Sequence, residues 1–271
     1  MQPRPVSRAA YWAYVAVIVF LVICPVWYAL TGAFRATDDG SLFGQFWVKD
    51  FTLENFATAF SRMDLQQQLF NSVVVTIAQT LLQLITAILA AAALVFGGLR
   101  NAKLIFGIIM GTMFIPSEAI VVARFVLVND MGLFDTLLAV FLPFAAMAFP
   151  IFLLRQAFLS FPSEIREAAL LDGVGPLRFV FSFLIPLTKP ALFTVTLTSA
   201  IAAWNGYMWP LLITDTKART LQVGISQLSD ANSTDVGVVL AGVTMVSIPL
   251  ILLVIFGQKF LTRGLTEGSN K

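Results

Sequence analysis

Residues that could catalyse a reaction are scarce in this chain of 271 residues, which has no histidine and a single cysteine, Cys24. Nucleophilic catalysis of the Ser–His or Cys–His kind is therefore excluded, as is a zinc site built from histidines or several cysteines. The sequence also lacks the G-x-x-x-x-G-K-[ST] motif that binds nucleotide phosphates in many ATPases. We expect no catalytic residue, no metal site and no cofactor in this chain, so any ATP that drives it must be bound by another subunit.

The composition is that of a membrane protein. The chain is 58% hydrophobic and 12% charged, with a mean hydropathy of +0.87, whereas soluble domains are about 45–50% apolar and about 25% charged. A spanning helix needs about 20 mostly apolar residues, and six runs meet this need: Tyr11–Phe34, Phe70–Phe96, Leu104–Val128, Leu133–Leu154, Ala191–Ile213 and Val236–Phe260. These runs do not alternate as barrel strands do, so the sequence predicts an all-α polytopic membrane protein with six transmembrane helices.

Several polar residues interrupt the predicted spans, namely Asn71, Gln79, Gln83, Glu118, Arg124 and Asn205. Such groups either join helices by hydrogen bonds or line a polar cavity, and for Gln79 and Gln83 both interpretations stay open. A charge such as Glu118 or Arg124 costs about 2.5–3.5 kcal/mol at a helix centre, which calls for a partner or water. These two residues lie six positions apart, on different faces of a regular helix, and we expect Pro116 to break the helix beside Glu118.

The basic residues indicate the orientation. Six spans place both termini on one side, and most of the 17 Lys and Arg residues fall there; the exceptions outside the spans are Arg35, Lys49, Arg62, Lys217 and Arg219. The positive-inside rule makes that side cytoplasmic, so the net charge of +2 indicates orientation and no nucleic-acid partner.

This topology predicts the organisation of the chain. We expect a cytoplasmic N-terminus (1–10), a first transmembrane helix (11–34), an external loop (35–69) with a short amphipathic helix, a five-helix core (70–260) with a cytoplasmic loop (158–186), and a cytoplasmic tail (261–271). The run over 11–34 is too long for the apolar region of a cleavable signal peptide, which has about 7 to 15 residues.

The cytoplasmic loop after the fourth span has the signals of a short helix. Pro162 and Glu164 suit its first turn and Gly173 suits its end. We expect one face to present small side chains to another protein, because Ile165, Ala168, Ala169 and Asp172 recur at helical spacing. A helix resting on lipid is the less favoured alternative, since alanine is a weak membrane anchor. A second short helix from Leu177 should be bent into the fifth span by Pro186 and Pro190.

This loop resembles the EAA loop of permease subunits in binding-protein-dependent ABC importers, whose pattern is E-A-A-x3-G, nine residues, then I-x-L-P. The matching positions are Glu167, Ala168, Ala169, Gly173, Phe183, Ile185 and Pro186. Phe183 and Ile185 depart from the pattern but remain apolar. Asp172-Gly173, the run from Ala203 to Leu211 and the tail from Arg263 to Thr266 are similar to the carbohydrate-uptake branch, of the maltose and glycerol-phosphate type.

The resemblance implies a type I ABC importer permease fold in the bacterial inner membrane, with a coupling helix in the cytoplasmic loop. It implies four kinds of partner besides membrane lipid: a second permease subunit, two ATP-binding subunits that hold ATP and Mg²⁺, and an external solute-binding protein. The residues implied to couple to the ATPase are Glu164, Glu167, Ala168, Ala169, Leu171, Asp172, Gly173 and Pro186.

The candidate substrate path consists of Trp204, Asn205, Tyr207, Gln83 and Glu118. Sugars offer hydroxyl groups for amide contacts and flat C–H faces for aromatic rings, which favours the segment around Asn205. An interfacial aromatic belt is the competing interpretation for Tyr207 and Trp209. Two other functions are weighed against the importer subunit: an ion-coupled secondary carrier with Glu118 as proton relay, and an intramembrane enzyme, which the missing histidines make improbable.

Overall fold

The computed structural model describes residues 8–36, 47–48, 50–228 and 235–266, which are helical with no strand and one isolated bridge between Arg35 and Phe51. Parts of three predicted segments, 1–10, 35–69 and 261–271, lie outside the described residues. The helices are α1 (Arg8–Ala33), α2 (Glu54–Arg62), α3 (Leu65–Phe96), α4 (Ala102–Gly111), α5 (Val121–Asp130), α6 (Leu137–Phe141), α7 (Ala148–Leu159), α8 (Ser163–Leu171), α9 (Pro176–Phe179), α10 (Ile185–Leu187), α11 (Lys189–Trp204), α12 (Met208–Ile213), α13 (Leu221–Leu228) and α14 (Val236–Thr266). The short helix expected in the external loop is α2.

Within the described residues, three straight helices are long and apolar enough to cross a bilayer: α1, α3 and α14. Three further pairs of helical segments meet the same test only together, because each is bent at a short break. The bends are 88° between Ala102–Phe114 and Ser117–Asp130, 45° between Leu137–Phe144 and Ala148–Leu159, and 86° between Pro176–Leu187 and Lys189–Trp204. Counting each pair as one span gives six, the number predicted.

Pro116 and Pro210 lie beside breaks in two of the predicted spans. Ile115 is extended and is followed by Pro116, which disfavours helical geometry in the residue before it, so the predicted third span is broken here as expected. The continuous helix predicted over Ala191–Ile213 is wrong. The helix ends at Trp204, and a new one starts at Met208 with Pro210 in its first turn, where a missing N–H costs nothing.

The chain divides into two compact units, and the first comprises residues 1–65 and 224–248. In this unit the Asn55 side chain of α2 donates hydrogen bonds to the carbonyls of Ala33 and Arg35, 3.1 and 2.8 Å away, where α1 ends. Gly237 of α14 lies directly against this amide, since a Cβ there would be 2.6 Å from Asn55 Nδ2. The glycine therefore permits α14 to pass close to α2.

The second unit, residues 66–223 and 249–271, is built on α3. The buried face of α3 changes character along its length. Its first half buries polar side chains at helical spacing, and its second half buries small and apolar ones such as Ala87, Ala91 and Leu94. The polar set is Gln68, Asn71, Ser72, Thr76, Gln79, Thr80 and Gln83.

Two apolar clusters lie at different levels of this unit. One surrounds the second half of α3 and contains Leu154 and Phe158 of α7 with Phe179 and Leu184 of the cytoplasmic loop. The other surrounds Val75, near the first half of α3, and contains Val140, Trp209 and Ile213. Gln79 and Gln83 of α3 lie between these clusters along the helix, and a cavity opens beside them.

Candidate functional site

A cavity of about 480 Å³ opens beside the polar part of α3. It is lined by residues of α3, of the break between α6 and α7, and of the segment where α11 ends and α12 begins. Most of its wall is apolar, with polar groups from Gln79, Gln83, Ser199 and Thr220. No ionisable carboxylate or basic side chain lines it within the described residues. The cavity therefore suits a ligand whose surface is uncharged or weakly polar and carries a few hydroxyl groups.

Gln83 satisfies both interpretations that the sequence leaves open, and Gln79 satisfies the cavity interpretation. Both line the cavity, and Gln83 Nε2 also donates to the carbonyl of Phe144, 2.9 Å away. One turn further along α3, Thr86 Oγ1 donates to the carbonyl of Ala145 at 2.8 Å. These two bonds satisfy backbone groups that the break between α6 and α7 leaves without helical partners. The polar face of α3 thus holds the cavity wall in place as well as facing the cavity.

Two of the three candidate residues at the end of α11 line the cavity, namely Trp204 and Tyr207. Asn205 does not, because its side-chain amide turns back to donate to the carbonyl of Ile201, 3.0 Å away on its own helix. The N–H of Asn205 donates to the same carbonyl at 3.1 Å, so both donor groups of Asn205 bind back to the last turn of α11. Asn205 therefore has a structural contact that the sequence pattern did not indicate.

Glu118 does not line the cavity either, although its neighbour Ser117 does. The Glu118 carboxylate accepts a hydrogen bond from Ser117 Oγ at 2.9 Å and is exposed. Arg124 lies over the rings of Phe144 and Trp209, with its Cζ 4.7 and 5.4 Å from the ring centroids. Its charge is thus placed against aromatic faces behind the cavity wall, which is a favourable arrangement for a guanidinium.

Trp209 is a packed wall residue and does not lie in an interfacial belt. It is buried, and its Nε1 donates to the carbonyl of Ala139, 2.9 Å away. This bond joins α12 to α6. The belt interpretation therefore fails for Trp209, while Tyr207 remains exposed at the cavity.

Ser199 and Thr220 are cavity residues that the sequence reasoning missed, whereas Trp204 was among its candidates. Among the described residues, Ser199 Oγ, Trp204 Nε1 and Thr220 Oγ1 have no hydrogen-bond partner. Leaving a buried donor unsatisfied costs about 1–3 kcal/mol. The signal for Ser199 is weak in the sequence, because single hydroxyl residues are common in transmembrane helices, and Thr220 lies outside the predicted spans.

The cytoplasmic loop forms the expected helix, α8, with Glu164 in its first turn. Its exposed face consists of Glu164, Glu167, Ala168 and Leu171, which follow helical spacing, and Leu171 is 89% exposed. Ala169 is only 4% exposed and packs into the chain. The predicted face of small side chains is therefore wrong in part, since Ala169 points inward while Ala168 and Asp172 stay outside.

Gly173 ends α8 as predicted. It adopts φ of +69°, a left-handed conformation that suits glycine. The N–H of Val174 donates to the carbonyl of Ala169 at 2.9 Å, and the N–H of Gly173 donates to that of Leu170 at 3.1 Å. This pattern is a Schellman motif, which satisfies the last carbonyls of the helix and fixes the direction of the chain after it.

Aromatic side chains seat the loop on the end of α3. Phe96, the last residue of α3, contacts Phe158, Phe161 and Phe179, with ring centroids 5.5–6.3 Å apart. Arg166 of α8 stacks on the Phe96 ring at 5.2 Å and donates from Nη2 to the Phe96 carbonyl at 3.3 Å. A displacement of α8 is therefore transmitted to α3 through packed rings, because such a cluster deforms little.

Pro186 follows a π turn, Val180–Leu184, at the far end of the loop. The wider turn accommodates a residue that has no N–H to donate. The chain then bends by 86° at Thr188, whose Oγ1 donates to the carbonyl of Leu184 at 2.6 Å. Pro186 thus lies at the bend between the loop and α11, where the sequence placed it.

Comparison with known proteins agrees with this geometry. The model of the family described as "Binding-protein-dependent transport system inner membrane component" matches residues 83–267. The chain is 29% identical over 271 residues to the probable ABC transporter permease protein YurM of Bacillus subtilis (strain 168), covering 98% of this chain and 89% of that one. It is 34% identical over 208 residues to the sn-glycerol-3-phosphate transport system permease protein UgpE of Brucella abortus (strain 2308), covering 76% of this chain and 74% of that one.

One solved structure has the same fold along nearly its whole length. It is a chain of a bacterial ABC transporter involved in the import of the acidic polysaccharide alginate, with a TM-score of 0.81 and 25% identity over 95% of this chain and 99% of that chain. The type I ABC importer permease fold expected from the sequence is confirmed.

The fold and the sites together define a membrane permease. This chain belongs to the family of binding-protein-dependent transport system inner membrane components. It is the permease component of an ABC importer, and it is not an enzyme. Membership of this family supports the importer function and gives no support to the ion-coupled carrier.

Proposed function

We propose that this chain is the permease subunit of an ATP-driven importer for a sugar or sugar-like solute, and that it forms half of the translocation path. The complete importer contains a second permease subunit, two ATP-binding subunits that hold ATP and Mg²⁺, and an external solute-binding protein. The chain lies in the bacterial inner membrane with both termini in the cytoplasm.

The observation that carries this proposal is the construction of α8. Its exposed face of Glu164, Glu167, Ala168 and Leu171 includes a leucine that is 89% exposed, while Arg166 on its inner face stacks on Phe96. We propose that the exposed face docks into a groove of the ATPase. Closure of the ATPase then moves α8, and the aromatic cluster transmits this motion to α3.

The sugar-like substrate is supported by the chemistry of the cavity. Trp204 and Tyr207 offer ring faces and Gln79 and Gln83 offer amides, which match the C–H faces and hydroxyl groups of a sugar. The unsatisfied Ser199 hydroxyl would gain a partner from such a ligand. A relative named for lactose transport points to the same class of solute.

The coupling assignment is tested by changing Glu167 to Lys. The importer should still assemble with its ATPase in detergent, but uptake into proteoliposomes containing ATP should fall at least about tenfold. The reason is that the substitution replaces a negative charge on the docking face by a positive one. Glu54→Lys is the matched control, because Glu54 is an exposed acid in the first turn of α2. If uptake by Glu167→Lys equals that by Glu54→Lys, α8 does not have the proposed coupling role.

The substrate class is tested with the solute-binding protein of the same importer. Thermal shift against a panel of neutral sugars, sugar acids and polyol phosphates identifies the ligand, and that ligand is then used in uptake assays with Gln79→Leu and Gln83→Leu. Both variants should reduce uptake more than they reduce ATP hydrolysis. A solute with no hydroxyl groups as the best ligand would contradict the proposal.

A further inference from the structure

A second cavity, of about 390 Å³, opens where the second half of α3 meets the loop that follows α7. This cavity, here called the interface pocket, is lined on the α3 side by Leu89, Ala93 and Phe96 and on the loop side by Leu170 and Leu177. Its volume falls in the range of sites for small molecules, about 300–1,000 Å³. None of these five residues lines the cavity beside Gln79 or belongs to the exposed face of α8.

The interface pocket reaches from the end of a membrane span into the span itself. Phe96 is the last residue of α3, which is long and apolar enough to cross a bilayer, and Leu89 lies seven positions before it. At a rise of about 1.5 Å per residue, this wall extends about 10 Å along the span. A loop of a water-soluble subunit does not suit that depth, because its backbone polar groups would lose water without gaining partners. The pocket therefore calls for an occupant with a substantial apolar part.

Large apolar side chains around the interface pocket are exposed. Leu89 is 44% exposed on α3, and Leu170 and Leu177 are 62% and 64% exposed on the loop. Removing such side chains from water is favourable, roughly in proportion to the apolar area that is covered. Exposed leucines on both walls of one cavity indicate a ligand whose apolar part runs between the walls.

A positive charge lies at the end of the pocket where α3 stops. Among the described residues that line the pocket, Arg166 is charged and no carboxylate is present. The guanidinium of Arg166 stacks on Phe96 at 5.2 Å and donates one hydrogen bond, to the Phe96 carbonyl at 3.3 Å. Since a guanidinium has five N–H donors, most of them are left for an anion.

No nearby carboxylate neutralises this charge. The acids of the same loop, Glu164, Glu167 and Asp172, are exposed and do not line the pocket. Arg166 also forms no ion pair within the described part of the chain. The interface pocket thus combines an apolar chamber inside the span with an uncompensated cation at the end of the span.

We propose that the interface pocket binds an anionic phospholipid from the leaflet next to α8, with an acyl chain along Leu89 and Ala93 and the phosphate at Arg166. A guanidinium binds phosphate through strong charge-assisted hydrogen bonds. A zwitterionic phospholipid suits the pocket less well, because its ammonium group offsets the charge of its phosphate. Under the proposed orientation this is the cytoplasmic leaflet, where anionic lipids are found.

A lipid in the pocket would contact the seat of α8 directly. Phe96, Phe179 and Arg166 line the pocket and also form the contacts between α3 and the loop. A ligand that binds the packed arrangement stabilises it relative to arrangements that lack the site. Bound lipid should therefore strengthen the packing of α8 on α3. The effect of this on transport rests on the proposed function, whereas the binding of lipid does not.

Photo-cross-linking with lipid probes tests the charge preference in the importer purified into nanodiscs. Phosphatidylglycerol and phosphatidylethanolamine with the same photoreactive acyl chain are compared at equal mole fractions, and labelled peptides are identified by mass spectrometry. The phosphatidylglycerol probe should label the peptides over 89–97 and 170–180 at least about fivefold more strongly. Equal labelling by the two probes would overturn the preference for an anionic lipid.

Arg166→Gln tests the phosphate contact. Labelling by the phosphatidylglycerol probe should fall at least about fivefold, because the positive charge is removed. Arg178→Gln is the matched control, since Arg178 is an exposed arginine of the same loop that does not line the pocket. Arg166→Lys keeps the charge but not the planar group that stacks on Phe96, and it should retain labelling within about twofold. Equal losses in Arg166→Lys and Arg166→Gln, or in Arg178→Gln and Arg166→Gln, would overturn the phosphate contact.

Ala93→Trp tests the apolar part of the pocket without changing Arg166. The larger side chain should fill the space of the acyl chain and reduce labelling at least about fivefold. Leu81→Trp places the same side chain at an exposed position of α3 outside the pocket and should leave labelling unchanged. Unchanged labelling in Ala93→Trp would show that the probe binds elsewhere, which would overturn the assignment of the pocket.

A protein occupant is the competing result. In a Cys24→Ser background, a benzophenone attached to the cysteine of Leu177→Cys should cross-link to lipid in the assembled importer. A cross-link to the second permease subunit or to the ATPase instead would overturn the lipid assignment. None of these measurements requires ATP or a transported solute, so lipid binding can fail while the proposed import function stands, and import can fail while lipid binding stands.

Discussion

Gly173 shows how one residue determines the shape of the loop over 158–186. Its φ of +69° is needed for the Schellman motif that ends α8, and a side chain there would meet no neighbouring atom within 4 Å. The requirement for glycine is therefore conformational and does not come from lack of space. A left-handed residue other than glycine costs about 1–2 kcal/mol.

We expect Gly173→Ala to destabilise the loop by about 1 kcal/mol or more and to reduce ATP-driven uptake, because α8 would no longer be held at its angle. The measurement is thermal unfolding of the purified importer together with uptake into proteoliposomes. Gly175→Ala is a close control, since Gly175 has a negative φ of −66° and also has open space around it. Equal effects of the two substitutions would show that the left-handed turn is unimportant.

Trp209 gives a second test at the same scale. Trp209→Phe removes the hydrogen bond to the Ala139 carbonyl and weakens the contact with Arg124. We expect a loss of about 1–2 kcal/mol, because a hydrogen bond contributes about 1 kcal/mol and a cation–π contact about 0.5–1. The midpoint of thermal unfolding in detergent should fall accordingly. Trp12→Phe, at an exposed position of α1, should leave it unchanged.

Individual site residues were predicted unevenly from the sequence. Trp204, Tyr207 and Gln83 line the cavity, as their residue types suggested. Polar groups within a span either form hydrogen bonds with another helix or line a cavity. Asn205 and Glu118 do not, because each bonds locally, to Ile201 and to Ser117. Residue type and helical spacing cannot distinguish a cap from a ligand contact when the helix end itself is unknown.

Among the elements, the spans were predictable and their breaks were less so. Length and apolarity predict α1, α3 and α14, because a long apolar segment that crosses a bilayer must satisfy its own backbone hydrogen bonds, as a helix does. The break at Pro116 followed from its proline, whereas the end of α11 at Trp204 did not. The polar face of α3 was visible as a pattern of seven residues at helical spacing, yet only three of them stood out as polar residues inside a predicted span.

The seat of α8 on α3 is an element-scale feature that can be tested at Phe179, a buried ring in contact with Phe96, Phe161 and Phe183. Phe179→Ala should cost about 3–5 kcal/mol. Amide exchange in α8 should increase and the yield of ATPase-bound permease should fall. Phe181→Ala removes an exposed ring two positions away and should change neither measurement. A stable, coupled Phe179→Ala importer would contradict transmission through the aromatic cluster.

At the scale of the whole molecule, α3 connects two surfaces of different chemistry. One of its ends contacts α8, where Arg166 stacks on Phe96, and near the other end the side chain of Asn71 donates hydrogen bonds to backbone carbonyls of the segment 214–220. A single helix thus contacts both segments, and Gln79 and Gln83 between its ends line the cavity.

This arrangement predicts which side of the membrane each surface faces. In a Cys24→Ser background, Thr216→Cys should react with a membrane-impermeant maleimide on whole spheroplasts, and Glu164→Cys should react only in inside-out vesicles, since both positions are exposed and α3 separates them by more than a bilayer thickness. Labelling after detergent treatment, which should reach both cysteines, controls for reactivity. Reaction of both positions from the same side would contradict the expected orientation and, with it, the proposed docking of α8 on the ATPase.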